Sequence, residues 1–228
     1  MNGKRDGAVV LLSGGLDSSV LAYSLAADGL DVTGLFVHYG QRHSREGQSA
    51  DLIAKKLGVP LFTIDLAAAG VGAILARSSL VGGDVPLETA ASTYAGMRTH
   101  FVPNRNVIFL SLAYAAAVTV GASVVAIAVS GIDAPTPDCR PEFMRAFEAM
   151  ETLALSTSGG IRLAVPFLDA DKAAIVKRGQ SLGVPFADTW SCFAGQQLHC
   201  GVCLACDERR TAFEQSGITD PTAYAAGR

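Results

Sequence analysis

The stretch SGGLDSS, residues 13–19, combines residue types that can bind phosphate groups and a divalent cation. Its adjacent glycines let the backbone approach a phosphate closely, and its serines supply hydroxyl donors. A carboxylate beside phosphate, as at Asp17, is repulsive unless a cation such as Mg²⁺ lies between the two. A well-capped helix start is the alternative, but capping does not require two consecutive glycines. The residues predicted to hold phosphate and Mg²⁺ are Leu12, Ser13, Gly14, Gly15, Leu16, Asp17, Ser18 and Ser19.

A second group of residues with metal-binding chemistry lies near the C-terminus, in CFAGQQLHCGVCLAC. Cys192, Cys200, Cys203 and Cys206 follow the spacing C-x7-C-x2-C-x2-C, which suits tetrahedral Zn²⁺ in a closed structural site. Disulfides, which a reducing cytosol would disfavour, and an iron–sulfur cluster remain as alternatives. His199 could replace one cysteine, but four thiolates already make a complete set, so we expect it to be a bystander.

The elements that must position these two groups alternate between strands and helices. Apolar patterns predict strands at residues 8–12, 32–38, 61–66, 124–129 and 163–167, and helices at residues 18–27, 44–57, 106–120, 141–155 and 171–182. This order predicts an α/β fold, an open, mostly parallel twisted sheet with helices on both faces. SGGLDSS then lies at the carboxyl end of the first strand, where such sheets bind ligands.

The chain divides into two expected units. Residues 1–185 are predicted to form the main domain, and residues 186–228 a small metal-binding module that packs on it through the helix-forming stretch CDERRTAFEQSG. Residues 67–103 fit no element, and so long a connection within a compact domain is usually functional or mobile.

Composition and charge exclude several classes of protein. The chain has 228 residues, 50% hydrophobic and 17% charged, enough for one large core, and its net charge of −3 argues against an extended nucleic-acid-binding surface. Residues 107–132 carry no charge, but Gly121 divides them into a helix-like half and a β-branched half, which favours a buried helix and strand over a membrane span. Residues 1–7 lack the features of a signal peptide, so the predicted location is the cytoplasm.

SGGLDSS, after a strand and at the start of a helix, resembles the signature of the PP-loop ATP pyrophosphatase superfamily. Members of that superfamily cleave ATP between the α- and β-phosphates. The resemblance implies an adenine nucleotide alpha hydrolase-like, Rossmann-like fold, a loop that holds the departing pyrophosphate, and a role for Asp17 in holding Mg²⁺.

Four stretches carry a further resemblance over nearly the whole chain: SGGLDSS; HYGQRHSREGQSA; FVPNRN with PDCRPEF; and SC followed by HCGVCLAC. Together they are similar to the QueC-like family of 7-cyano-7-deazaguanine (preQ0) synthases. That family converts 7-carboxy-7-deazaguanine, ammonia and two ATP to the nitrile through an adenylated carboxylate and an adenylated amide. The resemblance implies a carbon–nitrogen ligase of queuosine or related 7-deazapurine biosynthesis, with one structural Zn²⁺, Mg²⁺ with ATP, and a homodimeric assembly.

The same stretches supply candidate site residues. His38 and Tyr39 end the second strand and are predicted to contact the adenosine part of ATP, and family resemblance points to Lys172 on its β- and γ-phosphates. Carboxylates are expected to accept from the ring N–H and exocyclic amine of a deazaguanine. The catalytic candidates are Asp17, Lys172 and Arg105, and the substrate-binding candidates are Gln41, Arg42, Arg105, Asp133, Asp138 and Arg140.

Three positions depart from the family pattern near the expected heterocycle pocket. Thr136 replaces an aromatic residue before PDCR, Asn104 replaces a glycine before RN, and His100 replaces a threonine before FVP. Asn104 tolerates a left-handed backbone, and Asn106 can cap the following helix. The departures keep open a relative that adenylates another acid, or that stops at the amide, in a specialised or defence pathway.

Two further alternatives belong to other classes. A tRNA-thiolating enzyme of the same superfamily would need reactive cysteines outside the metal set, where only Cys139 stands, and a basic face for RNA. A zinc-ribbon binding module with a degenerate nucleotide site would not need the intact SGGLDSS stretch or Lys172.

Overall fold

The computed structural model describes residues 6–42, 45–75, 78–81, 101–131, 136–156 and 160–225. Its strands pair in parallel in the order β3-β2-β1-β4-β5, which confirms the predicted α/β fold. The strands are β1 (Gly7–Leu11), β2 (Asp31–His38), β3 (Leu61–Asp65), β4 (Val124–Ala126) and β5 (Arg162–Ala164). The helices are α1 (Leu16–Ala27), α2 (Arg45–Leu57), α3 (Val71–Leu75), α4 (Arg105–Val120), α5 (Pro141–Ala154), α6 (Lys172–Ser181) and α7 (Leu204–Ser216).

Both faces of the central strand are buried. Ala8 and Val10 pack with side chains of α1, α2, α6 and α7, whereas Val9 and Leu11 pack with those of α4 and α5. Because successive side chains of a strand point to opposite faces, a strand covered on both sides needs apolar residues at every position. This is why the sequence of β1 reads as a continuous apolar run.

Two strands are shorter than predicted. β4 ends at Ala126 instead of residue 129, and β5 spans Arg162–Ala164 instead of residues 163–167. The ladder between β4 and its neighbours β1 and β5 covers only these three positions. Beyond them the chain leaves the sheet, and Ala128 and Val129 become part of a cavity wall.

The start of α4 corrects one prediction and confirms another. Asn104 is the residue before the helix and adopts a left-handed backbone with φ 57°, as expected. Asn106 does not cap α4, because it lies inside the first turn and its side chain donates to Asp138 and Cys139 instead. The Asn106 side chain thus binds residues 138 and 139, which are distant in sequence, instead of capping its own helix.

Within the charge-free stretch, residues 107–120 are helical and Val124–Ala126 is a strand, in the predicted order. α4 ends at Val120, and the left-handed backbone of the next residue, Gly121 (φ 68°), turns the chain towards β4. Over the residues that the structure describes, no helix has both the length and the apolar character that crossing a bilayer requires.

The C-terminal residues pack closely on the main domain. Ala212 and Phe213 of α7 belong to the same core as α1 and α6, and the Phe213 ring meets that of Phe186 edge-on at 5.1 Å. The Trp190 backbone N–H donates to the Gly14 carbonyl over 2.9 Å, which ties this region to SGGLDSS. The exact division at residue 185 stays a prediction.

Candidate active site and metal centre

The turn between β1 and α1 is pressed against α2. Gly14 has φ +78°, and a Cβ atom there would lie 2.4 Å from the Ala50 nitrogen and 2.6 Å from the Glu46 carbonyl oxygen. Gly15 has no side chain with which to cap α1, so the N–H groups of the first turn remain available to a ligand. A helix start of this kind attracts anions because its N–H groups and macrodipole both favour negative charge.

A left-handed backbone costs an alanine about 1–2 kcal/mol. Gly14→Ala is expected to lower the free energy of unfolding by more than this. The added Cβ atom meets backbone, which cannot turn aside, so α1 and α2 must separate. Gly29→Ala is the matched control, since Gly29 also has positive φ (+88°) but nothing within 4 Å of its Cβ position. Urea unfolding measures the free energy of unfolding of both variants. An equal loss in the two variants would contradict the close approach of the Gly14 turn to α2.

Asp17 and Lys172 form an ion pair above this turn. Lys172 lies in the first turn of α6, as predicted, and its ammonium group donates to Asp17 Oδ2. The side chains are 19% and 20% exposed for Asp17 and Lys172, respectively. Among the described parts of the chain, the buried Oδ1 of Asp17 has no hydrogen-bond partner. An unpartnered carboxylate oxygen beside a turn that is suited to bind phosphate has the chemistry of a Mg²⁺ ligand.

Two cavities meet at the turn. The Lys172 cavity has a volume of about 320 Å³ and extends from the turn past Asp138 to α7. The Tyr39 cavity has a volume of about 230 Å³ and extends between the ends of β1, β2 and β4 and helix α4. The residues that line both cavities are Ser13, Asp17, Ser18, Glu46, Arg105 and Ala128.

Arg105 stays cationic at this junction. Burial lowers the pKa of Arg105, but the neighbouring Tyr39, Cys139 and Asp138 outweigh it and raise the pKa above its ordinary value. Tyr39 is 5% exposed, and burial raises its pKa to about 12, so its hydroxyl is neutral and accepts from Arg105. The junction therefore holds a permanent guanidinium charge next to the turn.

Asp138 contributes a carboxylate to the wall of the Lys172 cavity. Its Oδ2 accepts from the Asn106 backbone N–H over 3.0 Å, at the start of α4. Its Oδ1 is buried and has no partner within the described segments. A buried oxygen without a donor is costly, so Oδ1 of Asp138 could accept a hydrogen bond from a ligand in this cavity.

The other predicted residues fall into three groups. Leu12, Tyr39 and Gln41 line the Tyr39 cavity, and Gly15, Leu16, Asp138 and Lys172 line the Lys172 cavity. Five predicted residues that the structure describes line neither cavity: Gly14, Ser19, His38, Arg42 and Arg140. Asp133 and His100 lie outside the residues that the structure describes.

Several of these side chains have local partners. Gln41 accepts the Tyr39 N–H over 2.8 Å and donates to Glu46 Oε2 over 3.4 Å, so it braces the loop after β2. Ser19 donates to the Gly15 carbonyl over 2.7 Å inside α1. His38 Nδ1 lies 3.1 Å from Asp65 Oδ1, away from both cavities. The direct ligand roles of these residues stay predictions.

Glu46, Trp190 and Glu208 are among the cavity-wall residues that did not appear as sequence-based candidates. Glu46, in the first turn of α2, lines both cavities and lies within the quoted stretch HYGQRHSREGQSA. Trp190 and Glu208 line the Lys172 cavity and flank the cysteine cluster. The available signals were the single tryptophan next to SC and the acidic residue one turn into α7.

The four cysteines could bind a metal ion. Their Sγ atoms all lie within 4.8 Å of one another, and Cys200 Sγ is 4.0 Å from Cys206 Sγ. A tetrahedral site with Zn–S bonds of about 2.3 Å places sulfur atoms about 3.8 Å apart, so the donor set fits Zn²⁺. None of the five cysteines, all of which the structure describes, forms a disulfide.

Hydrogen bonds within the cluster favour the thiolate form of one cysteine, Cys192. Hydrogen bonds from Cys203 and Cys206 hold the pKa of Cys192 far below its ordinary value, and the same bonds raise the pKa of Cys203 to about 12. Backbone N–H groups of Ala194 and Cys200 also donate to Cys192 Sγ, over 3.4 and 3.2 Å. Binding of Zn²⁺ there would require the other thiols to lose their protons as well.

His199 lies beside the cluster and is not part of the four-cysteine group. It is 4% exposed, its Nε2 accepts from the Ser191 N–H over 3.1 Å, and its ring packs against that of Trp190 with the centroids 4.2 Å apart and the planes tilted by 43°. The His199 ring therefore packs against the segment that precedes the cluster. The sequence predicts that His199 is not a metal ligand, and these contacts agree with that prediction.

Arg209 of α7 anchors the cysteine-containing segment. Its side chain is 1% exposed and pairs with Asp220 at 3.2 Å. It also donates to Thr189 Oγ1 over 2.8 Å and to the Phe186 carbonyl over 3.0 Å. One guanidinium thus joins the segments before and after the four cysteines.

Asp220→Asn is expected to lower the free energy of unfolding by about 3 kcal/mol at pH 7, because it leaves the Arg209 charge buried without its partner. Burial opposes ionisation of Asp220, but Arg209 and hydrogen bonds from Tyr224 and Thr222 hold its pKa below the ordinary value. A lowered pKa gives stability that is complete above the unfolded pKa of about 4 and is lost as the pH falls through the folded pKa.

Unfolding in urea at pH 7 and at successively lower pH measures this difference, which should shrink below about pH 4. Asp28→Asn is the control, because Asp28 pairs with Arg178 at 3.5 Å on the surface, where such pairs contribute at most about 1 kcal/mol. A pH-independent difference for Asp220→Asn would contradict the ion-pair explanation.

Comparison with known proteins places the chain in a family. The model of the family described as "Queuosine biosynthesis protein QueC" matches residues 7–217. A 7-cyano-7-deazaguanine synthase of Paracoccus denitrificans is 47% identical over 95% of this chain and 92% of its own length. One of Ruegeria pomeroyi is 45% identical over 95% of this chain and 94% of its own length.

The solved structure of NMN synthetase from Francisella tularensis resembles the fold with a TM-score of 0.51 and 18% identity, covering 96% of this chain and 80% of that one. At this identity the likeness concerns the fold alone. The family model and the relatives each span nearly the whole chain, including the turn, both cavities and the cysteine cluster, so the chain belongs to the QueC family.

Proposed function

We propose that this protein is an ATP-dependent carbon–nitrogen ligase that converts 7-carboxy-7-deazaguanine and ammonia to 7-cyano-7-deazaguanine. The names of its relatives support this activity. The observation that carries it in this chain is the meeting of two cavities at SGGLDSS, where Asp17, Lys172 and Arg105 come together. An adenylating enzyme needs two such compartments, one for the nucleotide and one for the acid, that share the reacting phosphate.

The residues divide between the substrates as follows. The Tyr39 cavity takes the adenosine of ATP, with Leu12 and Tyr39 in its wall. The N–H groups of the first turn of α1 and the Lys172 ammonium hold the β- and γ-phosphates. The Lys172 cavity takes the acid, with the Asp138 carboxylate as the acceptor for its ring N–H groups. Arg105 lies at the junction, where its fixed charge stabilises the developing negative charge of the reacting phosphate.

The reaction balances without a nucleophilic side chain. A carboxylate oxygen attacks the α-phosphorus of ATP, and pyrophosphate leaves. Ammonia then displaces AMP to form the amide, whose oxygen attacks a second ATP, and loss of AMP gives the nitrile. Each AMP carries away one carboxylate oxygen. The protein contributes positioning and charge neutralisation, the tasks that the junction residues are placed to perform.

Two metals belong to this proposal. Asp17 would hold Mg²⁺ with its Oδ1, and Mg²⁺ would neutralise phosphate charge while pyrophosphate departs. Cys192, Cys200, Cys203 and Cys206 would hold one Zn²⁺ in a closed structural site, which stabilises the fold and takes no part in the chemistry. Ammonia as co-substrate, a homodimeric assembly and a cytoplasmic location are the family's implications and remain proposals.

Oxygen-18 labelling tests the proposed reaction directly. The purified protein is incubated with ATP, Mg²⁺, ammonium and 7-carboxy-7-deazaguanine that carries ¹⁸O in both carboxylate positions. We expect the nitrile, and two AMP molecules per nitrile that each carry one ¹⁸O. The ¹⁸O content of AMP and the mass of the heterocycle are read by mass spectrometry.

The same experiment separates the alternative product. Thr136 lies in the wall of the Lys172 cavity, where the family has an aromatic residue, so a changed acceptor pocket could end the reaction at the amide. That outcome would give one labelled AMP per acid and an amide that retains one ¹⁸O. No AMP formation with this acid would contradict the proposed substrate.

A further inference from the structure

Asn106 makes contacts that the proposed reaction does not by itself explain. It is 3% exposed in the first turn of α4. Its side-chain Nδ2 donates to the Asp138 carbonyl over 2.9 Å and to Cys139 Sγ over 3.3 Å, and its backbone N–H donates to Asp138 Oδ2 over 3.0 Å. One residue therefore holds both the main chain and the side chain of Asp138.

These bonds fix which oxygen of Asp138 is used inside the protein. Asp138 is 7% exposed, and a carboxylate that could rotate freely would share its oxygens between available donors. Instead Oδ2 accepts from the Asn106 backbone N–H, while Oδ1 has no donor from the described part of the chain; the Asn106 side chain holds the main chain that carries this carboxylate. A carboxylate only accepts hydrogen bonds, so the missing partner of Oδ1 must present an N–H or O–H group.

We propose that Asn106 is a positioning residue that holds Asp138 in the orientation in which Oδ1 accepts an N–H of the acceptor heterocycle. This inference rests on the proposed function, in which Asp138 binds the acceptor in the Lys172 cavity. The start of α4 supports it, because the free N–H groups and macrodipole there favour a carboxylate at the position of Oδ2. Asn106 selects acceptors with an N–H edge through Asp138, without touching them.

A double-mutant cycle tests the positioning role. Asn106→Ala, Asp138→Asn and the double variant are compared for the KM measured with the acceptor acid and, by calorimetry, for the Kd measured with ATP. Asn106→Ala is expected to raise the acceptor KM by about 10-fold and Asp138→Asn by about 30-fold. Asn106→Ala removes the two Nδ2 bonds, to the Asp138 carbonyl and to Cys139 Sγ, but keeps the backbone N–H that binds Oδ2, so it acts by loosening the main chain that carries Asp138. Its effect therefore requires the Asp138 carboxylate, and the double variant should be within about twofold of Asp138→Asn. Asn106 also lies in the wall of the Tyr39 cavity, but both of its donor groups are used on Asp138 and Cys139, so the affinity for ATP should fall much less than the acceptor KM rises.

Ser111→Ala is the matched control, because Ser111 lies on the exposed side of α4 and donates only to the Val107 carbonyl over 2.9 Å. If Asn106→Ala does not fold, Asn106→Ser keeps a short donor and enters the same cycle. Single effects that multiply in the double variant, or an affinity for ATP that falls as much as the acceptor KM rises, would overturn the positioning role. A wild-type protein that forms no AMP with the acid would instead overturn the proposed function and, with it, this inference.

Discussion

Asp17→Asn is expected to lower AMP formation by roughly 10³-fold while the fold remains intact. The substitution keeps the shape of the side chain but removes the charge that pairs with Lys172 and that would hold Mg²⁺ through Oδ1. Without a cation at Asp17, only Lys172, Arg105 and the N–H groups of α1 would offset the repulsion between the departing pyrophosphate and the adenylated acid. Single-turnover formation of labelled AMP measures the effect, and circular dichroism with thermal unfolding checks the fold.

Asp51→Asn is the matched control for Asp17→Asn. Asp51 pairs with Lys55 at 2.5 Å on the outer side of α2, where its side chain is 50% exposed, so the same chemical change occurs away from both cavities. We expect normal AMP formation from this variant. Normal turnover by Asp17→Asn would defeat the role of Asp17 as the cation ligand, whatever the control does.

Cys203→Ser is expected to remove bound metal and to lower the free energy of unfolding by about 4 kcal/mol or more, a Tm loss of roughly 10 °C. Serine is a poor ligand for Zn²⁺, and three thiolates in this space lose the charge that held them together. Since Trp190 donates to the Gly14 carbonyl, the loss should also loosen SGGLDSS. Metal content by atomic absorption and the fluorescence of the single tryptophan report the two effects separately.

Cys139→Ser is the control for metal content. Cys139 is buried between α4 and α5, outside the four-cysteine cluster, so this variant should keep full metal occupancy. A Cys203→Ser protein that is metal-free, well folded and unchanged in tryptophan emission would show that the cysteine cluster is not needed for the fold.

The sheet and the cysteine cluster could be predicted because their signals are local. A strand buried on both faces must be apolar throughout, so β1 and β2 are recognisable from their own residues. The four cysteines lie within fifteen residues in CFAGQQLHCGVCLAC, and their types and spacing alone indicate a tetrahedral site. The turn after β1 could be placed at a ligand site because parallel sheets bind ligands at that edge.

The contacts that complete the site could not be predicted, because they join distant segments. The partner of Asp17 is Lys172, 155 residues away, and the cavity wall opposite the turn comes from α7. No periodicity predicts which helix covers which end of a sheet. Asn106 shows the same limit: its local pattern indicates a cap, but a contact from Asp138, 32 residues away, takes its place.

A crystal structure of the wild-type protein with Mg²⁺ and α,β-methylene-ATP, which cannot release pyrophosphate, would locate the nucleotide directly. We expect the β- and γ-phosphates at the first turn of α1 beside Lys172, Mg²⁺ on Asp17, and the adenosine in the Tyr39 cavity. Triphosphate bound elsewhere, with residues 13–19 making no contact to it, would contradict the proposal that this turn holds the departing pyrophosphate.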